Sequence, residues 1–435
     1  MVLKSATVQR LDITADELVS GLLKLSETEH VSLLDSCGVG HLGSHLIIAG
    51  IRPTAADTIN VDPAVALHAL SQRLEGNDPC IFTLSYELGA SLSGVSHRPT
   101  DEPRAFFACF DHLIIHDYDS GQTKLVGKAD PKGTEARIRT AASHFQETRG
   151  NSSSTARSDN DREAYMASVA AVQERIRAGD TYQTNFTQEI TLENAARPSD
   201  VFWRLRRDHP APFAAYITRG DSTVVSASPE RFFKADPLER LITTSPIKGT
   251  RPRGSTPEDD ARLRHDLLAS SKDRAENTMI VDLLRNDLGR ICEYGSVRVD
   301  KLCELEEHPT LFHLVSTITG DLRSGVTFSD MIRALFPCGS ITGAPKINTM
   351  KIIEELEPGP RGLSMGAIGY SIPSGLGDLD PVVDLSVAIR TIVFRQGTAT
   401  FNVGGGITID SDPAEEYEES LLKARALLTA LGARF

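Results

Sequence analysis

Strand-like segments that follow one another with no helix between them set the limits on this fold. Ser222–Ala227, Leu241–Thr244, Val383–Phe394 and Thr398–Val403 are rich in apolar and β-branched residues. Several are neighbours in the chain, so the pattern predicts an α+β arrangement rather than alternating βαβ units. Helical signals fill other stretches. Ala64–Leu74 reads as a helix, and Glu163–Ala178 has an apolar period near 3.6 that stops at Gly179. Asp259–Asp287 reads as one long helix or two, with Ile280, Leu283, Leu284 and Leu288 on a buried stripe. Asp412-Pro413-Ala414-Glu415 places a cap, a first-turn proline and a reciprocal Glu at the start of a last helix running to Leu431.

With 435 residues the chain exceeds one ordinary core. The one shift in composition is Glu147–Asp161, polar and almost free of apolar residues. It divides the sequence into 1–150, with strand-like runs at Ile81–Tyr86 and Ala105–Ile115, a linker or exposed loop at 151–161, and 162–435. Acidic residues outnumber basic ones 59 to 46, a net charge of −13 that repels nucleic acid and anionic membrane. Any bound anion must therefore be held by a local arrangement of groups. The six cysteines are scattered without a CxxC pair, so neither a disulfide nor a structural metal site is expected. No apolar run nears the roughly 18 residues that span a bilayer, and Met1–Arg10 lacks an apolar leader core, so a cytoplasmic protein is expected.

Four groups of residues could carry chemistry. In Pro246–Gly254, proline and glycine fix the backbone around Lys248, aiming its amine; a lysine attacks only when neutral, and a solvated basic loop is the alternative. Glu416 and Glu419 share a helix face with Lys423, and Glu276 on Lys272–Asn277 offers a third carboxylate. Two or three such groups suffice for a hard cation, though on spacing alone a solvent-facing run paired with Lys423 is the better account. Gly339–Lys346 fails the P-loop spacing, whereas Gly404-Gly405-Gly406 after a strand lets a ligand approach the backbone or simply makes a turn. Glu230, in Ser228-Pro229-Glu230-Arg231, is either a general acid at a strand end or half of a surface ion pair, and His313 lies in an apolar stretch.

In this order the groups resemble the chorismate-utilising enzymes, the family of anthranilate synthase component I, aminodeoxychorismate synthase component I, and the isochorismate and salicylate synthases. The matching segments are Gly179–Asn185, Ser228–Phe232, Pro246–Gly254, Lys272–Asn277, Val281–Arg290, His313–Ser316, Gly343–Lys346, Arg390-Thr391, Gly404–Gly406 and Glu415–Tyr417. Leu33–Ser36 and Leu84–Gly89 match more thinly. The resemblance implies two packed, mainly antiparallel sheets surrounded by helices, the fold of anthranilate synthase component I. Residues 162–435 would then be the catalytic region and 1–150 a scaffold with a possible regulatory role.

Within the family, Lys248 in the PIKGT segment is the pattern of the aminodeoxychorismate branch, where anthranilate synthases carry a small residue. The implied activity is amination of chorismate at C4 to 4-amino-4-deoxychorismate, on the route to 4-aminobenzoate and folate. Anthranilate synthase component I is the alternative. Carried over residue by residue, Lys248 is the nucleophile and Glu230 the acid. Glu276, Glu416 and Glu419 would hold Mg²⁺, and Arg390 and Tyr370 the enolpyruvyl carboxylate. Ser340, Gly404, Gly405, Gly406, Lys423 and His313 would line the remaining pocket. Gln183 replaces the lysine with which isochorismate and salicylate synthases activate water. Two departures stand out. The common PGGSITGAPK segment reads Pro337-Cys338-Gly339 here, a thiol taken as a packing change. No Gly-x-Cys-x-Gly elbow occurs, so ammonia is expected from a separate glutamine amidotransferase subunit or from solution.

Overall fold

Successive side chains of a strand point to opposite faces, and here both faces are apolar. On Leu46–Ile51, Ile47, Ala49 and Ile51 join one core cluster while Ile48 joins another. On His112–Asp117, Ile114 faces the first cluster and Leu113 and Ile115 the second. Such strands must be covered on both sides, and the computed structural model shows how. It describes residues 7–40, 45–128, 130–148, 154–307 and 311–435.

Among those residues two large antiparallel sheets are stacked. The first has twelve strands, in the spatial order Thr7–Leu11, Gln122–Gly127, His112–Asp117, Leu46–Ile51, Val31–Asp35, Phe213–Arg219, Ser222–Ser228, Thr391–Arg395, Thr398–Ile407, Gln183–Leu192 and Arg157–Ser158, with Gly343–Ala344 pairing Gln183–Leu192 at the side. The second has ten: Ile247–Pro252, Leu311–Asp321, Leu241–Ser245, Arg231–Asp236, Val382–Val387, Ala367–Ile372, Cys80–Leu84, Ala105–Cys109 and Ala55–Ile59, with Arg298–Glu307 beside Leu311–Asp321. Ile48, Ile217 and Val224 from the first sheet meet Ile81, Phe106 and Ile368 from the second in the layer between them. Helices Ala15–Leu25, Pro198–Asp208 and Pro413–Leu431 cover the outer face of the first sheet through Leu18, Leu22, Phe202, Leu205 and Leu427. Helices Pro63–Leu74, Ser271–Gly289 and Phe328–Leu335 cover the second through Leu67, Leu70, Ile280, Leu284 and Ile332. This is the two-sheet α+β architecture expected of the sequence.

Strands from the first 150 residues enter both sheets. Ala214 to Ile217 pair with Asp35 to Ser32 in one, and Ala367 to Ser371 with Leu84 to Cys80 in the other. Of the polar stretch, Ser154–Thr155 pairs in parallel with Ala433–Arg434, and Arg157–Ser158 pairs with Thr191 and Ile190.

Two runs read as single strands are each divided between the sheets. Ala105–Ile115 becomes Ala105–Cys109 in the second sheet and His112–Asp117 in the first. Val383–Phe394 becomes Val382–Val387 in the second and Thr391–Arg395 in the first. The chain makes the same passage at Pro229-Glu230, between Ser222–Ser228 and Arg231–Asp236. The last two crossings run side by side: Val387 N–H donates to Glu230 O at 3.0 Å, and Ala227 N–H to Arg390 O at 3.0 Å. Arg390 turns with φ 49°.

The long helical stretch is two helices, Pro257–Ala269 and Ser271–Gly289, broken at Ser270, whose hydroxyl accepts from Asp273 N–H to cap the second. Asp412 caps the last helix by accepting from the N–H groups of Ala414 and Glu415, so the Glu415 contribution is its backbone. One expectation is corrected. Cys80 and Cys109 are bonded, 4.1 Å apart at Cα, because they sit directly opposite each other on paired strands. Their separation of 29 residues hides that register. Cys37, Cys292, Cys303 and Cys338 remain free. No described helix is long and apolar enough to cross a membrane.

Candidate active site

Gly249, at φ 83°, turns the strand Ile247–Pro252 immediately after Lys248. The lysine side chain is half-buried, and its Nζ donates to Ser340 O at 3.3 Å. Ser340 lies in a single 3-10 turn, Gly339–Ile341, pressed against the helix Ser271–Gly289: a Cβ on Gly339 would stand 2.7 Å from Leu283 Cδ2. Glu230 reaches the same place from the sheet crossing. It is 4% exposed, and its Oε1 is buried without a hydrogen-bond partner. Burial pushes its carboxyl up to about 7, against the opposing pull of the Lys248 charge, the Ser340 hydroxyl and the Ile247 N–H.

The three other glutamates come from two helices, Ser271–Gly289 and Pro413–Leu431. The Lys248 charge also acts on Glu276 and Glu419. Burial holds the Glu276 carboxyl above its ordinary value, opposed by Lys248 and Lys272 and reinforced by Asp273 and Glu416. Glu419 is held below its ordinary value, first by Lys423, whose Nζ stands 2.8 Å from its carboxylate and also donates to Gly404 O at 2.8 Å. Glu416 is buried, accepts from Ser411 Oγ at 2.7 Å and lies 3.7 Å from Lys272 Nζ. A Cβ on Gly405 would come within 3.0 Å of Glu416 Oε2 and 3.8 Å of Glu419 Oε1. Glycine therefore keeps the space between backbone and carboxylates open. Among the described residues no three acidic, histidine or cysteine side chains already form a closed metal cluster. As a donor set, carboxylates converging on a cradle that a Cβ would fill suit a hard divalent cation.

The glycine strand, Thr398–Ile407, lies against Gln183–Leu192. A Cβ on Gly404 would meet Phe186 O at 1.9 Å, and one on Gly406 would meet Gln183 Nε2 at 2.2 Å. Gln183 Oε1 and Thr184 Oγ1, both buried, have no hydrogen-bond partner. Arg390 stands at the crossing beside Glu230. Its guanidinium makes no ion pair or hydrogen bond to any described residue, and burial lowers its pKa from the usual arginine value. His313 is buried on Leu311–Asp321, where Thr250 Oγ1 and His313 Nδ1 are 2.8 Å apart.

Tyr370 pairs with Asp384 across two strands of the second sheet. It packs in the layer between the sheets and lines a small cavity of about 40 Å³ with Leu34, Asp35, Ser36, Phe213 and Asp384.

Sequence reasoning passed over the residues that brace the site. Arg361 donates to Ile341 O and to Asn185 O, both at 2.6 Å, and is paired with Glu357, which also accepts from Thr187 N–H at 2.7 Å. Lys346, the lysine of the Gly343–Lys346 segment, turns to Asp287 at 2.5 Å and to Leu335 O at 2.7 Å. Asn277, next to Glu276, accepts from Ser316 Oγ at 2.5 Å and donates to Leu314 O, fixing that helix to the His313 strand. Lys346, Asp287 and Asn277 lie inside quoted motifs, which do not show the partner each side chain meets, whereas Arg361 and Glu357 lie in none.

The stacked sheets, and a cleft in which a lysine faces glutamates across a glycine strand, define the class to compare. Anthranilate synthase component I from Streptococcus pneumoniae superposes with a TM-score of 0.71 over 98% of this chain and 93% of that one, at 24% identity. The chain belongs to the family of chorismate binding enzymes, whose model matches residues 45–429. It is 40% identical over 366 residues to aminodeoxychorismate synthase from Streptomyces griseus, covering 81% of this chain and 50% of that one. To aminodeoxychorismate synthase component 1 from Klebsiella aerogenes it is 39% identical over 353 residues, covering 80% and 75%. The chain thus spans about half the length of the Streptomyces relative.

Proposed function

We propose that this chain aminates chorismate at C4, giving 4-amino-4-deoxychorismate, with Lys248 as nucleophile and Glu230 as acid. One observation carries the reading: Lys248 lies beside the buried carboxyl of Glu230 while its charge also reaches Glu276 and Glu419. The two relatives named as aminodeoxychorismate synthases support the choice of C4.

Attack needs a free amine and departure of hydroxide needs a proton donor, and one proton passed from Lys248 to Glu230 provides both. Lys248 Nζ then bonds to C2, the two ring double bonds shift, and the C4–O bond breaks as Glu230 hands its proton to the leaving oxygen, releasing water. The carboxylate left on Glu230 takes the extra proton from the lysine adduct. Ammonia bonds to C4, the double bonds return, and the C2–Nζ bond breaks as Glu230 gives its proton back to Nζ, freeing the lysine as a neutral amine. Arg390, without an anionic partner in the protein, is suited to hold the enolpyruvyl carboxylate by a bidentate contact. Gln183 is neutral and cannot activate water, which leaves the ring to the amine.

Glu276, Glu416 and Glu419 would hold Mg²⁺, which when bound supplies positive charge for the ring carboxylate. Lys423 and Lys272 now stand beside these carboxylates. Ammonia would be delivered by a separate glutamine amidotransferase subunit, a reading supported by the component 1 name of the Klebsiella relative.

Chorismate, ammonium and Mg²⁺ incubated with the protein should yield 4-amino-4-deoxychorismate by mass spectrometry; fluorescent anthranilate formed without any added lyase would overturn the C4 assignment. Lys248→Ala should lower the rate by at least ~10³-fold. An unchanged rate would remove the covalent step.

A further inference from the structure

Cys338 stands where the family segment has glycine, and its surroundings connect it to the acid. The thiol is 3% exposed and lies 3.3 Å from Ser340 Oγ, itself buried. The Ser340 hydroxyl also acts on the Glu230 carboxyl, drawing its pKa down against burial, and Glu230 Oε1 is buried without a hydrogen-bond partner. Cys338 also precedes the 3-10 turn whose Ser340 carbonyl receives Lys248. Nucleophile and acid are therefore both held by the one turn that Cys338 begins.

We infer that Cys338 is a positioning residue for the acid: its thiol donates to the Ser340 hydroxyl and so turns that hydroxyl toward Glu230. The inference rests on the C4 amination reading. A hydroxyl accepts and donates at once, so a donor behind it strengthens the bond it gives to a carboxylate. The thiol is suited to the donor role because burial and the nearby Glu230 push its pKa up to about 12, so it keeps its proton. The groups that face Glu230 are Lys248 and the Ile247 N–H from one strand and Ser340 and Cys338 from the turn. Lys346, whose charge reaches the thiol, is paired with Asp287.

The test is the pH profile of kcat for C4 amination at saturating ammonium. Lys248 and Glu230 share one proton in the working state, and a second proton bound at low pH abolishes it, so the rate rises with pH through the pKa of Glu230. Cys338→Ser supplies a stronger donor, favours the carboxylate and should move this rising limb down by about half a pH unit. Cys338→Ala removes the donor and should move it up by about as much. In a Ser340→Ala background, Cys338→Ala should leave the limb where Ser340→Ala alone puts it. Should the alanine variant fail to fold, Cys338→Gly serves in its place and should shift the limb the same way. Limbs that stay put, move together, or shift additively in the Ser340→Ala background would overturn the role. Wild-type protein that makes no 4-amino-4-deoxychorismate would instead overturn the function, a separate result.

Discussion

Three buried arginines and one other tell different stories. Arg219 ends on Glu102 at 2.5 and 3.1 Å, Arg231 on Asp384 at 3.0 and 3.1 Å, and Arg361 on Glu357 at 2.6 and 2.8 Å. Each guanidinium meets its carboxylate in a forked pair within the protein. Arg390 has burial against it and no carboxylate among the described residues; the charge it influences is His209, of the same sign when protonated. Arg390 is only partly buried, yet a cation half withdrawn from water without a counter-charge is still better placed once an anion from outside completes it. Structural arginines are thus satisfied by the fold, whereas Arg390 is left for the enolpyruvyl carboxylate that the proposed function assigns to it.

The largest effect is expected where a matched pair is broken. Glu102→Ala leaves Arg219 buried and alone and should cost about 3–5 kcal/mol in denaturant unfolding, while Arg219→Met with Glu102→Leu should restore most of it. A loss below about 1 kcal/mol for Glu102→Ala would show that the pair is not structural. Arg390→Ala should do the reverse, lowering kcat/KM for chorismate about 10²-fold while unfolding shifts by less than ~1 kcal/mol. Should it destabilise as Glu102→Ala does, the contrast between matched and unmatched arginines collapses.

The smallest effect concerns Glu230, a buried acid without a full partner. Its folded pKa of about 7 lies above the ordinary 4.5. Its contribution to stability is therefore complete below about pH 4.5 and is lost as pH rises through 7. Glu230→Gln should remove that loss, gaining on the order of 1–2 kcal/mol over wild type between pH 5 and pH 8. Parallel melting profiles for the two proteins would show that Glu230 does not titrate in that window.

Local physics carried the sequence reading furthest where periodicity and caps operate. The helix expected at Glu163–Ala178 is Arg162–Arg177, stopping before Gly179 at φ 81°. What stayed hidden was the passage between sheets. In Ala105–Ile115 and Val383–Phe394 the chain remains extended and apolar across the corner, so alternation continues while the hydrogen-bonding partners change. Which face a strand residue takes was equally hidden, and Tyr370 packs against the layer between the sheets. Lys248, Glu230 and Ser340 were legible through their motifs and do stand together. The bonds from Arg361 to Ile341 O and Asn185 O, and the Cys80–Cys109 bond, join residues far apart in the chain, which no local pattern encodes.

The paired crossings have a mechanical consequence. Glu230 and Arg390 are anchored at once to both layers of the sandwich, so their spacing is set by how the layers seat on each other. The inner contacts of Ile48 and Ile217 with Ile81 and Ile368 act as a gauge block for the cleft. A methyl group added or removed there would alter catalysis from a distance by sliding one wall of the cleft past the other.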